Sequence, residues 1–462
     1  MSSASTPIPV TATERAREQR AWYVYDWANS AYVTVATTVL LGPYLTNVAV
    51  QAAGCADGSD ADSCTATLSV LGIPVSPGSL FFYVITVTTL LSALLLPIAG
   101  ALADRSARKK DLMAGFAWAG AAAATAMVTI GGTNWQLGVL LLVIGNLGLG
   151  ASLVVYDSIL CDIATPDERD AVSSRGWALG YVGGGLVLAV ALVLVLVKPA
   201  GLTTEWAVRV SLLLAGLWWA GWTVVPWRVL ANRPVSPTIL AQNSDTGLLR
   251  SSFGQLRRTL THVRSYPVTL NFLLAYLFFN DGVQTVISAA SVYGSQQLRL
   301  TESTLVAAIL LVQFVAFGGA LLFGRMAARV GAWRTILSSL LVWLVVIALG
   351  FAVPAGAPLP FFALAIAIGV VLGGTQALSR SLYSQLIPAG KEAEYFSLYQ
   401  SCERGTSWLG TLLFGLVHQL TGSYRPALVS LVVFFVVGFV LLRRVDVRTG
   451  ILAAGNKVPA VV

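Results

Sequence analysis

The sequence predicts an all-α polytopic membrane protein with twelve transmembrane helices in two six-helix halves, and three observations carry that expectation. The first is composition. Of 462 residues, 56% are hydrophobic and only 11% charged, with a mean hydropathy of +0.76, whereas a soluble globule is roughly a quarter charged. The second is the succession of twelve apolar runs, each near the roughly 20 residues that a helix needs to cross the hydrocarbon. The third is a repeat: GALADRSARKK at Gly100 to Lys110 returns as GRMAARVGAWR at Gly324 to Arg334. The two copies align Gly100 with Gly324, Ala103 with Ala327, Arg105 with Arg329 and Lys110 with Arg334, and Ala328 stands where the first copy has Asp104. Each copy follows the second apolar run of its half, which marks two related halves.

Taken in order, residues 1–21 form a cytoplasmic tail with Arg15, Arg17 and Arg20 but no apolar stretch of the kind that opens a cleavable signal peptide. The N-terminal bundle then occupies 22–230. Its first span covers 22–46, and a polar outward loop, 51–78, holds Cys55 and Cys64, for which a disulfide and two free thiols are both open readings. Span two covers 79–101. Spans three and four, 112–131 and 136–158, are joined by a turn too short for anything but antiparallel neighbours. Span five opens with Gly176, Gly180 and Gly184 every fourth residue, a stripe suited to close helix packing and, as the alternative, to making room for a ligand. Span six, 207–230, carries Trp218, Trp219, Trp222 and Trp227, expected as interfacial or lipid-facing anchors.

The apolar runs stop over the linker 231–267. There Leu249, Phe253, Leu256, Leu260 and Val263 alternate by four and three between Arg250, Arg257, Arg258 and Arg264, the pattern of a basic amphipathic helix lying on an anionic leaflet. The C-terminal bundle, 268–445, repeats the scheme with spans at 268–293, 304–324, 333–353, 361–385, 395–420 and 425–442, and 446–462 is a second cytoplasmic tail.

The net charge of +8 does not point to nucleic acid, because the basic residues lie between helices. With the N-terminus inside, one set of connections carries Arg105, Arg108, Lys109, Lys110, Arg169, Arg175, Arg257, Arg258, Arg325, Arg329 and Lys391, and the other only Lys198, Arg209, Arg299 and Arg425. That asymmetry places both termini in the cytoplasm of a cell-membrane protein.

Ionisable groups within spans cost several kcal/mol unless paired or hydrated, so each is a functional candidate. Asp26 leads a polar face with Asn29, Ser30 and Thr37. Asp281 lies near mid-membrane beside Asn280, with Gln284, Thr285 and Ser288 at offsets of three, four and seven. Span eleven supplies Gln400, Glu403 and Arg404, and a pair between Asp281 and Arg404 would make a coupling device sensitive to a proton or a zwitterionic substrate. Span ten adds Gln376 and Arg380; the arginine could grip a carboxylate, but its place near the inner end favours snorkelling to the surface. An enzyme would need convergent catalytic side chains, yet His262 and His418 fall far apart and no metal or nucleotide motif is visible. No cofactor is expected.

The organisation of the whole chain and the motif at Gly100 to Lys110 resemble the major facilitator superfamily, with Ala107 in place of that motif's usual glycine. Four further stretches, YDWANSAY at Tyr25 to Tyr32, RGWALGYVGG at Arg175 to Gly184, FFNDGVQTV at Phe278 to Val286 and GGTQALSRSLYSQLIP at Gly373 to Pro388, are similar to bacterial facilitators related to the fungal autophagy-associated vacuolar amino-acid effluxers. The resemblance implies a monomeric secondary transporter, working by alternating access, that moves an amino acid or another small polar solute with proton coupling. A drug or metabolite exporter of the same fold and a non-transporting receptor are the alternatives. Drug/proton antiport is disfavoured, because span four offers Asn146 where such antiporters carry arginine and Tyr181 to Gly185 lacks their proline. The resemblance also implies a cytoplasmic gate: Asp104 and Arg105 in the loop, Asp104 against the N-terminus of span eleven near Glu394 and Tyr395, and Arg108 paired with Asp157 or Asp162.

Overall fold

A computed structural model describes residues 11–55, 64–70, 72–235, 264–405 and 407–462. The basic amphipathic segment of the linker, 249–263, lies outside the described residues. The helices are α1 (Ala12–Ala52), α2 (Pro77–Asp104), α3 (Lys109–Ala126), α4 (Trp135–Ile163), α5 (Arg169–Val197) and α6 (Thr204–Val229) in the first half. The second half holds α7 (Pro267–Val292), α8 (Glu302–Val330), α9 (Ala332–Ala352), α10 (Pro358–Gln385), α11 (Glu392–Gly405), α12 (Ser407–Thr421), α13 (Tyr424–Ser430) and α14 (Val432–Arg443), followed by α15 (Val447–Ala453). A two-stranded antiparallel hairpin, β1 (Leu68–Val70) and β2 (Ile73–Val75), lies in the loop between α1 and α2, next to the disulfide that joins Cys55 to Cys64.

Among the described residues eleven helical segments are long and apolar enough to cross a membrane. The twelfth crossing is made by α11 and α12, which lie on either side of residue 406 and are each too short alone to count among the eleven. The protein is an all-α polytopic membrane protein of two six-helix halves, and each half has its own apolar core. One core gathers Trp22, Tyr32, Leu142, Tyr156 and Trp219 from the first half, the other Phe272, Tyr276, Trp343, Tyr383 and Phe435 from the second.

Several boundaries differ from the hydropathy reading for identifiable reasons. α1 begins at Ala12, ten residues ahead of the expected span, because Thr11 and Glu14 form a reciprocal capping box that stabilises a polar first turn. Further along, α1 widens into a π-helical stretch over Tyr32–Leu40, where Thr37 and Thr38 both donate to the Val33 carbonyl. The tryptophans of α6 are not all lipid anchors. Trp219 is fully buried and stacks on Tyr32 at 5.2 Å, Trp218 packs on Trp27 and Trp227 bonds Asp111, leaving Trp222 the most open at 40% exposure.

The C-terminal segment is folded onto the protein. Asp446 caps α15 by accepting from the Thr449 amide, which with the Thr449 hydroxyl holds its carboxyl below the usual range. Gly450 lets α15 sit against Val268 and Leu386, Asn456 donates to the carbonyls of Gln385 and Ile387, and the Ala460 amide reaches Asp167 in the other half. The start of α1 lies at the same face, where Arg15 pairs with Glu168 and Gln19 donates to the Ile163 carbonyl. This end of the molecule is called the terminal face below.

Candidate functional site

The densest polar cluster in the molecule joins the two halves near the terminal face, and Arg380 of α10 is its centre. Its Nη2 lies 3.0 Å from Asp26 Oδ2 on α1, and its Nη1 lies 3.3 Å from Asp157 Oδ1 on α4. The Ser173 hydroxyl accepts from Nε at 3.0 Å and the Ser173 carbonyl from Nη2 at 3.2 Å. The guanidinium also lies 4.7 Å from the Trp22 ring, 5.5 Å from Tyr156 and 5.4 Å from Trp177, contacts that stabilise a desolvated cation. One cation therefore bridges two carboxylates of the opposite half, and Gln400 of α11 completes Asp157 by donating to Oδ2 at 2.8 Å.

This arrangement corrects the snorkelling expectation for Arg380, which is only 2% exposed. The C-terminal half of α10 is buried at every residue from Val371 to Gln385, so the side chain has no route to the surface. The glycine stripe of α5 explains how α1 comes so close. A Cβ on Gly176 would sit 2.6 Å from Asp26 Oδ2 and 2.8 Å from the Trp22 ring, and one on Gly184 would sit 2.5 Å from Thr34 Oγ1. Close packing is what the stripe provides, and it leaves space for the ion pair.

A second contact lies at the Gly100 loop. Asp104 is buried and accepts from the amides of Ala393 and Glu394 at 2.9 and 2.8 Å, at the first turn of α11. This satisfies two of the donors that a helix N-terminus leaves open and sets a carboxylate on the positive end of its dipole. Gly100 is what allows the approach, since a Cβ there would lie 2.5 Å from the Ala393 carbonyl oxygen. Arg105 closes α2 with its own amide. Arg108 pairs with neither Asp157 nor Asp162; it precedes the first turn of α3, with its side chain 76% exposed, and binds Asp111 at 2.8 Å. Lys109, the first residue of α3, takes the expected role, with Nζ 3.5 Å from Asp162 and 3.9 Å from Asp104. A one-residue shift in a loop turns a side chain by about 100° where the helix begins, enough to exchange these partners.

Deeper in the second half, Gln376 donates to Asn280 Oδ1 at 2.8 Å, Tyr276 to Gln376 at 3.3 Å, and Asn280 to the Glu403 carbonyl at 3.2 Å. Gln284 reaches Asn280 at 3.5 Å, and Gln400 lies 3.3 Å from Glu403 Oε2. Asp281 and Arg404 do not pair. Asp281 faces α12 and accepts from the Gly410 amide at 2.7 Å, whereas Arg404 donates from Nε to Gln400 at 3.2 Å. On the facing half, Asn29 spends its amide on the Tyr25 carbonyl of its own helix at 2.7 Å. Tyr32 stands 3.4 Å from Asn146, Thr34 accepts from Gln313 at 3.0 Å across the interface, and Thr89 approaches the Arg404 carbonyl at 3.5 Å.

The sequence reading did not single out Arg169, Asp170 or Ser173, yet all three tie α5 to α10. Arg169 donates to the Ser384 carbonyl and Ser173 to the Ala377 carbonyl, each at 2.7 Å, and Ser381 donates to Asp170. The detectable signal was their i, i+1 and i+4 placement one turn ahead of Gly176, on the face that carries the glycine stripe.

Comparison with known proteins accords with this architecture. The family described as vacuole effluxer Atg22 like matches residues 14–455. An uncharacterized MFS-type transporter, YxiO, of Bacillus subtilis is 29% identical, covering 94% of this chain and 96% of that protein. Autophagy-related protein 22 of Pyricularia oryzae is 25% identical over 96% of this chain and 78% of its own length. Among solved structures, the human organic anion transporter MFSD10 (TETRAN) superposes with a TM-score of 0.67 at 15% identity, covering 93% of this chain and 99% of that one. The major facilitator superfamily transporter FucP in its outward conformation gives 0.65 at 14% identity, covering 94% and 98%.

Proposed function

The chain belongs to the Atg22-like vacuole effluxer family and has the major facilitator fold of a membrane transporter, and from that premise we propose that it moves amino acids across the cell membrane by proton-coupled alternating access. In this reading the terminal face is cytoplasmic and the protein acts as a monomer. The observation that carries the substrate class is Arg404. It stands about midway along the α11 and α12 crossing, and its hydrogen bond runs to a neutral partner, Gln400. The described residues place no carboxylate within ion-pair distance of it. Glu403, its neighbour along α11, feels its charge without closing an ion pair with it; a cation at mid-membrane with no carboxylate in direct contact is expensive, and a ligand carboxylate would relieve that cost by a charge-assisted, bidentate contact. Tyr32 and Asn146 of the other half lie across from it, within electrostatic reach of its charge. The two arginines thus divide the work: Arg380, saturated by Asp26 and Asp157, locks the terminal face, and Arg404 takes the solute carboxylate.

Reconstituted protein given a panel of labelled amino acids, with and without a pH gradient, tests the reading. The expected result is saturable uptake of one or more of them, and a loss of affinity in Arg404→Gln of about 10- to 150-fold, the equivalent of a charged hydrogen-bonded contact worth about 1.5 to 3 kcal/mol. Binding of a solute without any flux would make the protein a receptor and refute transport. Unchanged affinity in Arg404→Gln would remove the anchor.

A further inference from the structure

Asp281 occupies a site apart from the Arg380 lock. It is fully buried on α7, and of its two carboxyl oxygens only Oδ2 has a hydrogen-bond partner, the Gly410 amide. One helical turn on, Thr285 is 1% exposed and its hydroxyl is likewise buried without a partner. The two orphaned oxygens flank the same backbone: a Cβ on Gly410 would fall 2.2 Å from Thr285 Oγ1 and 3.3 Å from the Asp281 carbonyl oxygen. Glycine is what lets α12 come this close to α7. The charged groups on the elements packed around α7 are Arg380 on α10, Glu392, Glu394, Glu403 and Arg404 on α11, His418 on α12, Arg443 on α14 and Arg448 on α15. None of them pairs with Asp281, whose surroundings amount to burial and the Gly410 amide.

An ionised carboxylate held by a single amide at this depth is uncompensated by several kcal/mol, while its protonated form is neutral, keeps the acceptor bond at Oδ2 and leaves only a neutral O–H to be met. A metal cation is a poorer fit, because sodium or a harder ion takes about six oxygens and two orphaned oxygens are what the described residues offer here. We propose that Asp281, with Thr285 and Gly410, is the proton-binding site of the transport cycle: Oδ1 carries the proton in the conformation seen here and releases it to water when α12 moves off α7. The step is a simple protonation, one O–H bond formed at Oδ1 from a water-borne proton on one side of the membrane and broken to water on the other. Asn280 and Gln376, one residue and one helix away, connect this site through the Glu403 carbonyl to the solute side of α11, a route by which proton release and solute release can be linked.

This inference rests on the transport reading above, and its experiment separates the two. Asp281→Asn keeps the shape and the acceptor for the Gly410 amide but cannot take a proton. In proteoliposomes it is expected to retain solute exchange at equal pH within about twofold of the unsubstituted protein. Accumulation driven by a pH gradient, ~tenfold per pH unit for one proton per solute, is expected to collapse to a ratio of about one. Gradient-driven accumulation at the unsubstituted level in Asp281→Asn would overturn the assignment, and so would accumulation that follows a sodium gradient instead. A second measurement needs neither flux nor a variant. An apolar carbodiimide attacks protonated carboxyls in lipid, and peptide mass mapping of the purified protein is expected to find the adduct on Asp281 and not on Asp26 or Asp157, whose carboxylates pair with Arg380. An adduct pattern that spares Asp281 would overturn the inference even if amino acids are transported.

Discussion

Removing the charge of Arg380 should open the terminal face, and the size of the effect follows from what the side chain holds. In Arg380→Met, two buried carboxylates lose their shared cation and Ser173 loses two bonds. Stripping one partner from a buried pair costs about 3 to 5 kcal/mol. Protonation of one aspartate recovers part of this, leaving a bias of about 3 kcal/mol against the closed arrangement, or ~150-fold in the equilibrium between closed and open. Cys161 reports on it directly: its sulfur lies 3.8 Å from the Ser384 carbonyl across the interface of the two halves, and it is a free thiol. In a Cys402→Ser background, with the outward-loop pair engaged in its disulfide, a membrane-permeant maleimide should modify Cys161 at least ~10-fold faster in Arg380→Met, given that bias. Arg380→Lys keeps a charge but loses the fork that spans Asp26 and Asp157, and should fall between. Adding Asp26→Asn and Asp157→Asn to Arg380→Met removes the stranded charges and should return labelling toward the starting rate, since neutralising a whole buried pair costs far less than halving it. Unchanged Cys161 labelling in Arg380→Met, with a thermal midpoint showing an intact fold, would refute the lock.

Three further outcomes are expected. Asp104→Ala deletes two charge-assisted bonds to the first turn of α11, a loss of about 2 kcal/mol, and should raise Cys161 labelling by up to ~30-fold. Its counterpart in the second copy of the motif, Ala328→Asp, should change labelling by less than about fivefold, because Ala328 is exposed and surface charges contribute ~1 kcal/mol or less. Thiol titration of the denatured protein should find two reactive cysteines before reduction and four after, as Cys55 is joined to Cys64 while Cys161 and Cys402 are free.

Hydropathy made most of the spans legible to within a few residues, because crossing a membrane imposes length and apolarity on the chain itself. The sequence places span eleven at 395–420, and the structure starts it at Glu392, where Asp104 of another helix rather than its own sequence fixes the first turn. Most of the buried charges were legible, since they stood out against apolar neighbours, but their pairing was not. Partner choice depends on how helices are turned about their axes relative to one another, and a 3.6-residue period fixes only the azimuth of residues within one helix. Arg380 illustrates the difference: along the chain it is close enough to the end of α10 to snorkel, but in space α1, α4 and α5 close over it. The tryptophans of α6 failed for a related reason, because the same amphipathic ring serves as interfacial anchor or core filler according to which face of the helix is covered.

The internal repeat sharpens into an asymmetry of function. Gly100 brings α2 onto the Ala393 backbone of α11, and Gly324 brings α8 onto Ser174 of α5, so both copies place a glycine where the halves meet. Only the first copy keeps a carboxylate there. On the α5 side the fastening has moved from the loop to the helix, where Arg169, Asp170 and Ser173 reach the carbonyls and hydroxyls of α10. Farther from the terminal face the α5 and α8 contact continues in apolar packing, with Val187, Leu188, Ala191 and Leu192 against Val306, Ile309 and Leu310. A contact of that kind loses little when it slides, because it has no directional bonds to break. The α2 and α11 contact and the Arg380 cluster are directional and charged, so they are lost abruptly once the geometry opens. Rocking of the halves would therefore pivot on the apolar seam and be timed by the charged one, which places the energetic decision to open with Asp104, Asp26, Asp157 and Arg380.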